Sequence, residues 1–375
     1  MEKQKTLRMR WHQRLAEVDR DAWDRLAQPL ATPLLEWRWL HALETSGSIA
    51  PGAGWHPHHL TVWRKNRLVG AAPFYIKTHS DGEFVFDQWW AQLAREAGIP
   101  YYPKMVGMSP VTPAVGYRFL IDPSDPDPTA IQAAMLDAVD ALCLQKGLAG
   151  CHLLFLDPAW RRSLPAGLFA PWQHQSFVWH NEGFRHFEDY LARFKASQRR
   201  NIRRERQRMV DAGIDFRPLS GDQLNGDWAQ RMYRCYADTN RRYGPWGCHY
   251  LNADFFEMAF THYRHRLLLI NAEQQGHTLA LAMLLHKGDH LLGRYWGAER
   301  TIKDLHFNMC FYEPIQWAID HQIRSFDPGA GSPHKIQRGF QAVTNTSLHR
   351  FYEPRLQLVF NHLIQRVNRM EQANI

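Results

Sequence analysis

HRLLLINAEQQGHTLALAMLLHK, residues 265–287, decides the fold. A β-rich run leads into a short polar turn at Gln275-Gly276 and then a longer apolar run, which is a hairpin signal. The same order occurs in HHLTVWRKNRLVGAAPFYIK, residues 58–77, with its turn at Lys65-Asn66. A second pair of segments repeats as well. AMLDAVDALCLQKGLAGCHLLFLD (134–157) reads as an amphipathic helix, a glycine stop and a buried strand ending in Asp157. CFYEPIQWAIDHQIRSFD (310–327) reads the same way and ends in Asp327. Met135, Val139 and Leu142 keep helical spacing, as do Ile315, Ala318 and Ile319. Order and element type both recur, so the chain is expected to hold two copies of one mixed α/β unit.

The division is expected near 180–190, between a strand-like HQSFVWH and a charged helix starting at Phe187. This gives halves 1–186 and 187–375. No low-complexity linker separates them, so docked halves are expected. DPSDPDP (122–128) reads as a surface loop.

A chain of 375 residues suits two cores rather than one. Five cysteines, an odd number with no C-x-x-C spacing, argue against a disulfide framework and a structural zinc site. No metal is expected, since no H-E-x-x-H or Cys-His spacing occurs among the 21 histidines. The first residues lack a signal-peptide stretch and no apolar run reaches about 18 residues, so a cytoplasmic protein without stable membrane insertion is expected. The net charge of +8 favours polyanionic partners.

Much of that charge lies in LARFKASQRRNIRRERQRMVDA, read as a helix over 191–212 with Gly213 as its stop. Between Arg193 and Arg208 stand eight Lys or Arg and one acid, Glu205. Arg199, Arg200, Arg203 and Arg204 are candidates for binding an anion or RNA. The alternative is a solvated helix face.

Several strings resemble the Fem-like predicted N-acyltransferase family: GEFVFDQWW (82–90), YYPKMV (101–106), PVTPAVGYR (110–118), SQRRNIRRERQRMVDAGIDF (197–216), GRYWGA (293–298), LHFNMCFY (305–312) and HKIQRGF (334–340). The family is related to the peptidoglycan aminoacyltransferases. The resemblance implies a bacterial protein of two tandem GNAT-like domains. It also implies transfer of an acyl or aminoacyl group from an activated donor to an amine, as in peptidoglycan biosynthesis. Two motif positions depart from the family. Its late G-E-H-K is Ser332-Pro333-His334-Lys335 here, and its H-F-E is His306-Phe307-Asn308.

Amide formation needs a deprotonated amine, a polarised carbonyl and close contact between them. In GNAT-type folds the acyl group lies where central strands splay. Arg294 and Tyr295, between Gly293 and Gly297, are candidates there, with Tyr295 as a hydrogen-bond donor to the carbonyl or leaving group and His306 as base. Asp327 ends a predicted strand before PGAGSPHKIQRGF, so Asp327, His334, Lys335 and Arg338 form a second candidate set. His334 and Arg338 would share a face if that segment were helical. In the first half, Glu83, Asp87, Tyr102 and Lys104 are candidates for recognising an acceptor.

Arg67-Leu-Val-Gly70-Ala-Ala72 spells the letters of a CoA loop, but Pro73-Phe-Tyr-Ile reads on as strand, so no helix dipole follows. This favours a donor carried by tRNA or an acyl carrier over acyl-CoA. The expected acceptor is a small-molecule or cell-wall-precursor amine. A non-catalytic RNA-binding protein using residues 193–208 is the alternative function, with an adaptor at anionic membranes ranked last.

Overall fold

The computed structural model describes residues 7–331 and 333–373. The expected mixed α/β class and repeat are both observed. Two compact units form. The first comprises residues 7–30, 34–175 and 344–373, and the second 31–33 and 176–343.

In the second unit, Leu267–Gln274 and His277–Lys287 form the hairpin read from the sequence, with Gln275 (φ 52) and Gly276 (φ 77) supplying the left-handed turn. Asp215–Ser220 pairs with the first strand of this hairpin and His290–Ala298 with the second, all antiparallel. His290–Ala298 then runs parallel to Ser325–Asp327, which pairs antiparallel with Trp179 and His180.

The first unit repeats this plan. His59–Arg64 and Arg67–Ala72 form its hairpin, with Lys65 (φ 56) in the turn. Each hairpin carries a register shift at the same place, Val62/Trp63 and Ala272/Glu273, three residues before the turn. Lys104–Gly107 runs parallel to Gly150–Leu153, which pairs antiparallel with residues 348–351. Helix Pro128–Gln145 precedes Gly150–Leu153, as Glu313–Asp320 precedes Ser325–Asp327.

Two differences shape the candidate sites. The long strand His277–Lys287 is interrupted in the first unit after Ala72 and resumes at Tyr75–Lys77, because Pro73 has no N–H to give the ladder. Where the second unit turns through Gly288-Asp289, the first makes an excursion over residues 78–103 that includes helix Gln88–Glu96. The units also differ from a simple cut at 186/187. Residues 176–180 complete the sheet of the second unit and 344–351 that of the first, so each sheet takes a closing strand from outside its own half of the sequence.

The basic helix is shorter than expected. Phe187–Ala192 is a separate short helix, and the long one spans Ala196–Asp211, with Lys195 extended (ψ 152) between them. Gly213 (φ 63) follows as the stop. The 122–128 segment is a loop, but Asp122 and Asp125 are buried against Arg25, Arg67 and Arg64. Among the described residues no helix is long and apolar enough to cross a membrane.

Candidate functional site

In the second unit, parallel pairing covers His290–Ser325, Leu291–Phe326 and Leu292–Asp327 and then stops, while the first strand runs on to Ala298. This is the opening expected of a GNAT-like sheet. Arg294 lies beside it. The register with the neighbouring strand passes from Gly293 to Tyr295, so Arg294 is the extra residue of a bulge, a device that re-aims a side chain. Its side chain is 2% exposed, its guanidinium donates to Asp327 Oδ2 at 3.2 Å, and its Nε has no partner. Asp327 also accepts from Gly329 N at 2.7 Å.

The loop after Asp327 closes on Lys335, whose Nζ donates to Gly329 O at 2.7 Å and Ala330 O at 2.8 Å. Gly331 has φ 152, a conformation that strains any residue with a side chain, and a Cβ there would stand 2.6 Å from that Nζ. Burial lowers the Lys335 ammonium to about 8. Pro333–Arg338 is a 3-10 helix rather than an α-helix, and Arg338 donates to the carbonyl of His334. Ser332 lies outside the described residues.

The aromatic residues sort by strand alternation. Trp296 packs edge-on against His306 at 4.6 Å. Tyr295, one residue earlier, packs against Tyr236, Phe255 and Phe256 instead. The expectation that Tyr295 works beside His306 and His334 is therefore corrected: it points to the opposite sheet face. His306 and His334 do come together, both against Phe307 and Phe311. Burial pushes His306 down to about 4, which makes it a weak base at neutral pH. His334 is lowered as well, chiefly by burial, but is only half-buried.

Arg338 is not available in the way the sequence implied. Its side chain lies over the Phe307 ring at 3.5 Å, donates to Tyr312 OH at 2.9 Å, and meets both oxygens of Glu205 at 2.9 and 3.1 Å. Tyr312 donates to Glu205 as well. Asn308 opens a π-helical turn, Asn308–Tyr312, and its amide donates to the carbonyls of Glu205 and Asp304. A carboxylate at position 308 would face those carbonyls without donors, so the amide of Asn suits this site. Sequence reasoning missed the tying role of Glu205, Tyr312 and Asn308. The signal was present in Glu205, the one acid in a run of bases.

Part of the run of bases is neutralised by tertiary partners. Arg203 pairs with Glu188, Arg206 with Glu313 and Arg208 with Asp304. Arg199 donates to Phe194 O and Arg204 to Asn201. Arg200 and Arg204 are exposed. The expectation that the helix lacks opposite charges holds for its own sequence and fails in three dimensions.

In the first unit the candidates converge. Lys104 is fully buried, and its Nζ donates to Glu83 Oε2 at 2.8 Å, Asp87 Oδ2 at 2.5 Å and Ser80 Oγ at 2.8 Å. Tyr101 OH donates to Asp87 at 2.8 Å, and Tyr102 OH shares a 2.7 Å hydrogen bond with Ser80. Burial raises Glu83 to about 7. Burial also acts to raise Asp87, but bonds from Lys104, Ser80 and Tyr101 outweigh it and leave Asp87 below the usual carboxylate range. Burial opposes the charge on Lys104 too, and the two carboxylates more than offset it. Lys77, paired in register with Lys104, lies over the Trp55 ring at 3.6 Å and is lowered to about 7 by burial. Lys77 and Ser80 were not singled out from sequence. Phe84 (φ 58) and Phe86 (φ 51) lie between the two acids in the left-handed region, where bulky residues are strained.

Arg67–Ala72 is a strand, so the CoA-loop lettering has no structural counterpart.

A mixed α/β protein with an opened parallel pair and a glycine-bearing loop beside it has a place for a ligand at that opening. The chain belongs to the FemAB-like family, described as peptidoglycan biosynthesis/recognition, whose model matches residues 14–375. Its fold is shared with FemX, at 11% identity over 93% of this chain and 99% of that one, TM-score 0.54. It is similar also to L-PGS from Bacillus licheniformis, at 9% identity over 94% and 97%, TM-score 0.54. The C-terminal domain of a putative lysylphosphatidylglycerol synthetase from Agrobacterium fabrum gives 8% identity over 93% and 97%, TM-score 0.56. No curated protein matches the sequence.

Proposed function

We propose that this protein is an N-acyltransferase that moves an acyl or aminoacyl group from an activated donor to an amine, with a cell-wall precursor as the acceptor class. The observation that carries this reading is the opening after Leu292–Asp327, with Arg294 bulged beside it and the Lys335-bound loop at its edge. A carbonyl there meets donors from a buried guanidinium, which polarise it as charge develops on its oxygen. His334, half-buried and neutral, takes the proton of the incoming amine. The C–N bond forms, the bond from carbonyl carbon to the donor's leaving atom breaks, and His334 passes the proton to that atom. Trp296, Phe307 and Phe311 surround the histidines and limit water there.

Aminoacyl-tRNA and an acyl carrier are the favoured donors, because the strand at 67–72 offers no pyrophosphate cradle. Exposed Arg200 and Arg204 support a polyanionic carrier. The test is product formation followed by mass spectrometry, with purified protein, charged tRNA or acyl carrier, and a muropeptide amine. His334→Ala is expected to lower kcat by about 100-fold or more while the fold is kept. Full turnover in that variant would remove His334 from the chemistry.

A further inference from the structure

Resting on the transfer reaction proposed above, we infer that the group transferred carries no positive charge: a neutral or anionic acyl group, such as an N-blocked aminoacyl group, rather than one with an α-ammonium. The argument is one of charge. Among the described residues, four carboxylates on the segments that build this site are each bonded to an arginine. Glu205 holds Arg338, Asp304 holds Arg208, Glu313 holds Arg206 and Asp327 holds Arg294. Asp327 accepts a backbone N–H in addition, and Glu205 the Tyr312 hydroxyl.

The cations are not matched in the same way. Lys335 is 2% exposed, and among the described residues its ammonium is bonded only to two loop carbonyls. Arg294 keeps a buried Nε–H with no acceptor. His306 and His334 stand against Phe307 and Phe311 and bring no negative charge. The thiol of Cys310, which burial pushes up to about 12, is neutral as well.

An incoming ammonium would therefore meet buried positive charge and, in those four carboxylates, only acids already paired, a costly arrangement in a site of low polarity. An incoming carbonyl, amide or carboxylate would meet a waiting donor. Positions 308 and 333 add no carboxylate, being Asn and Pro. Asn308 also turns its amide to two backbone carbonyls, so its role is to tie the helices and it supplies no anion.

Two probes separate the charge from everything else. Alaninamide is protonated at neutral pH, and N-acetylalaninamide has the same side chain and carbonyl without the charge. Binding of each to the whole protein is measured by saturation-transfer NMR. The expected result is that N-acetylalaninamide binds at least about ten-fold more tightly. Arg294→Met should narrow that ratio, and Arg294→Lys, which keeps the charge, should preserve most of it. Equal or tighter binding of alaninamide would overturn the inference, and so would failure of both probes to bind. Transfer from an alanyl donor in preference to an N-acetylalanyl donor would also sink it, while leaving the acyltransfer reading intact. Selective binding of the neutral probe without turnover of any donor would uphold the inference and count against the reaction instead.

Discussion

The two units share a scaffold down to the bulge before each hairpin turn, yet they bury opposite kinds of charge arrangement. In the first, the excursion over 78–103 folds Glu83 and Asp87 onto Lys104 beside Lys77, two carboxylates against two amines. Each carboxylate keeps one buried oxygen without a partner, Glu83 Oε1 and Asp87 Oδ1. In the second, a two-residue turn replaces that excursion, and the charged groups gather at the other end of the strand, where Glu205, Asp304, Glu313 and Asp327 are each held by an arginine and Lys335 donates to two loop carbonyls. A duplicated sheet has thus come to offer negative acceptors in one copy and positive donors in the other. The lesson is that insertions and a single bulge, more than the strands, decide what each copy can bind.

The largest effect should come from breaking the enclosed charge of the first unit. Lys104→Met leaves Glu83 and Asp87 buried without their cation, at a cost of about 3–5 kcal/mol in urea unfolding. A loss below about 1 kcal/mol would mean that the two acids are already neutral in the folded protein.

The matching change in the second unit, Arg338→Met, should cost less, about 2–3 kcal/mol, because Glu205 is 15% exposed against 2% for Glu83. Equal losses would show that exposure does not distinguish the two clusters.

Protonation sharpens the contrast further. His152 and His349 are buried together in the first unit at 2.8 Å between their Nδ1 atoms, and burial pushes His349 down to about 3. An unfolded histidine takes up its proton near about 6.5. The unfolded state therefore binds more protons between these values, and stability falls as pH drops through that window. Glu83, raised to about 7, works with the opposite sign: its contribution is present at low pH and is lost as pH rises from its ordinary 4.5 through 7. His349→Leu should flatten the pH dependence of the unfolding midpoint between about pH 6 and 4. An unchanged slope there would assign acid sensitivity to other groups.

The smallest effect should be at the surface of the basic helix. Arg203 and Glu188 are 56% and 69% exposed, so Glu188→Gln should change stability by less than about 1 kcal/mol, and less still at high salt. A larger loss would make that ridge part of the core rather than a solvated face.

Much of the scaffold was legible because local signals agreed with it. Two-residue turns at Lys65-Asn66 and Gln275-Gly276, flanked by strand-forming runs, fix both hairpins. A helix followed by a glycine stop and an apolar strand fixes the later repeat. The exchange of closing strands was not legible, since 170–180 and 341–351 are both strands and nothing local says which sheet each joins. Site geometry was legible only in part. Glu83, Asp87, Tyr102 and Lys104 lie close in sequence and meet in space. Glu205 and Arg338 are 133 positions apart, and no periodicity links them. Tyr295 was misassigned because the strand's facing depends on the bulge at Arg294, which the sequence does not announce.

The central claim is that the acyl group is held at the opening of the second unit and not in the enclosed cluster of the first. Hydrogen exchange with and without saturating N-acetylalaninamide tests it most directly. Slowed exchange over residues 290–298 and 325–340, with 78–104 unchanged, is the expected result. Protection confined to 78–104 would contradict it.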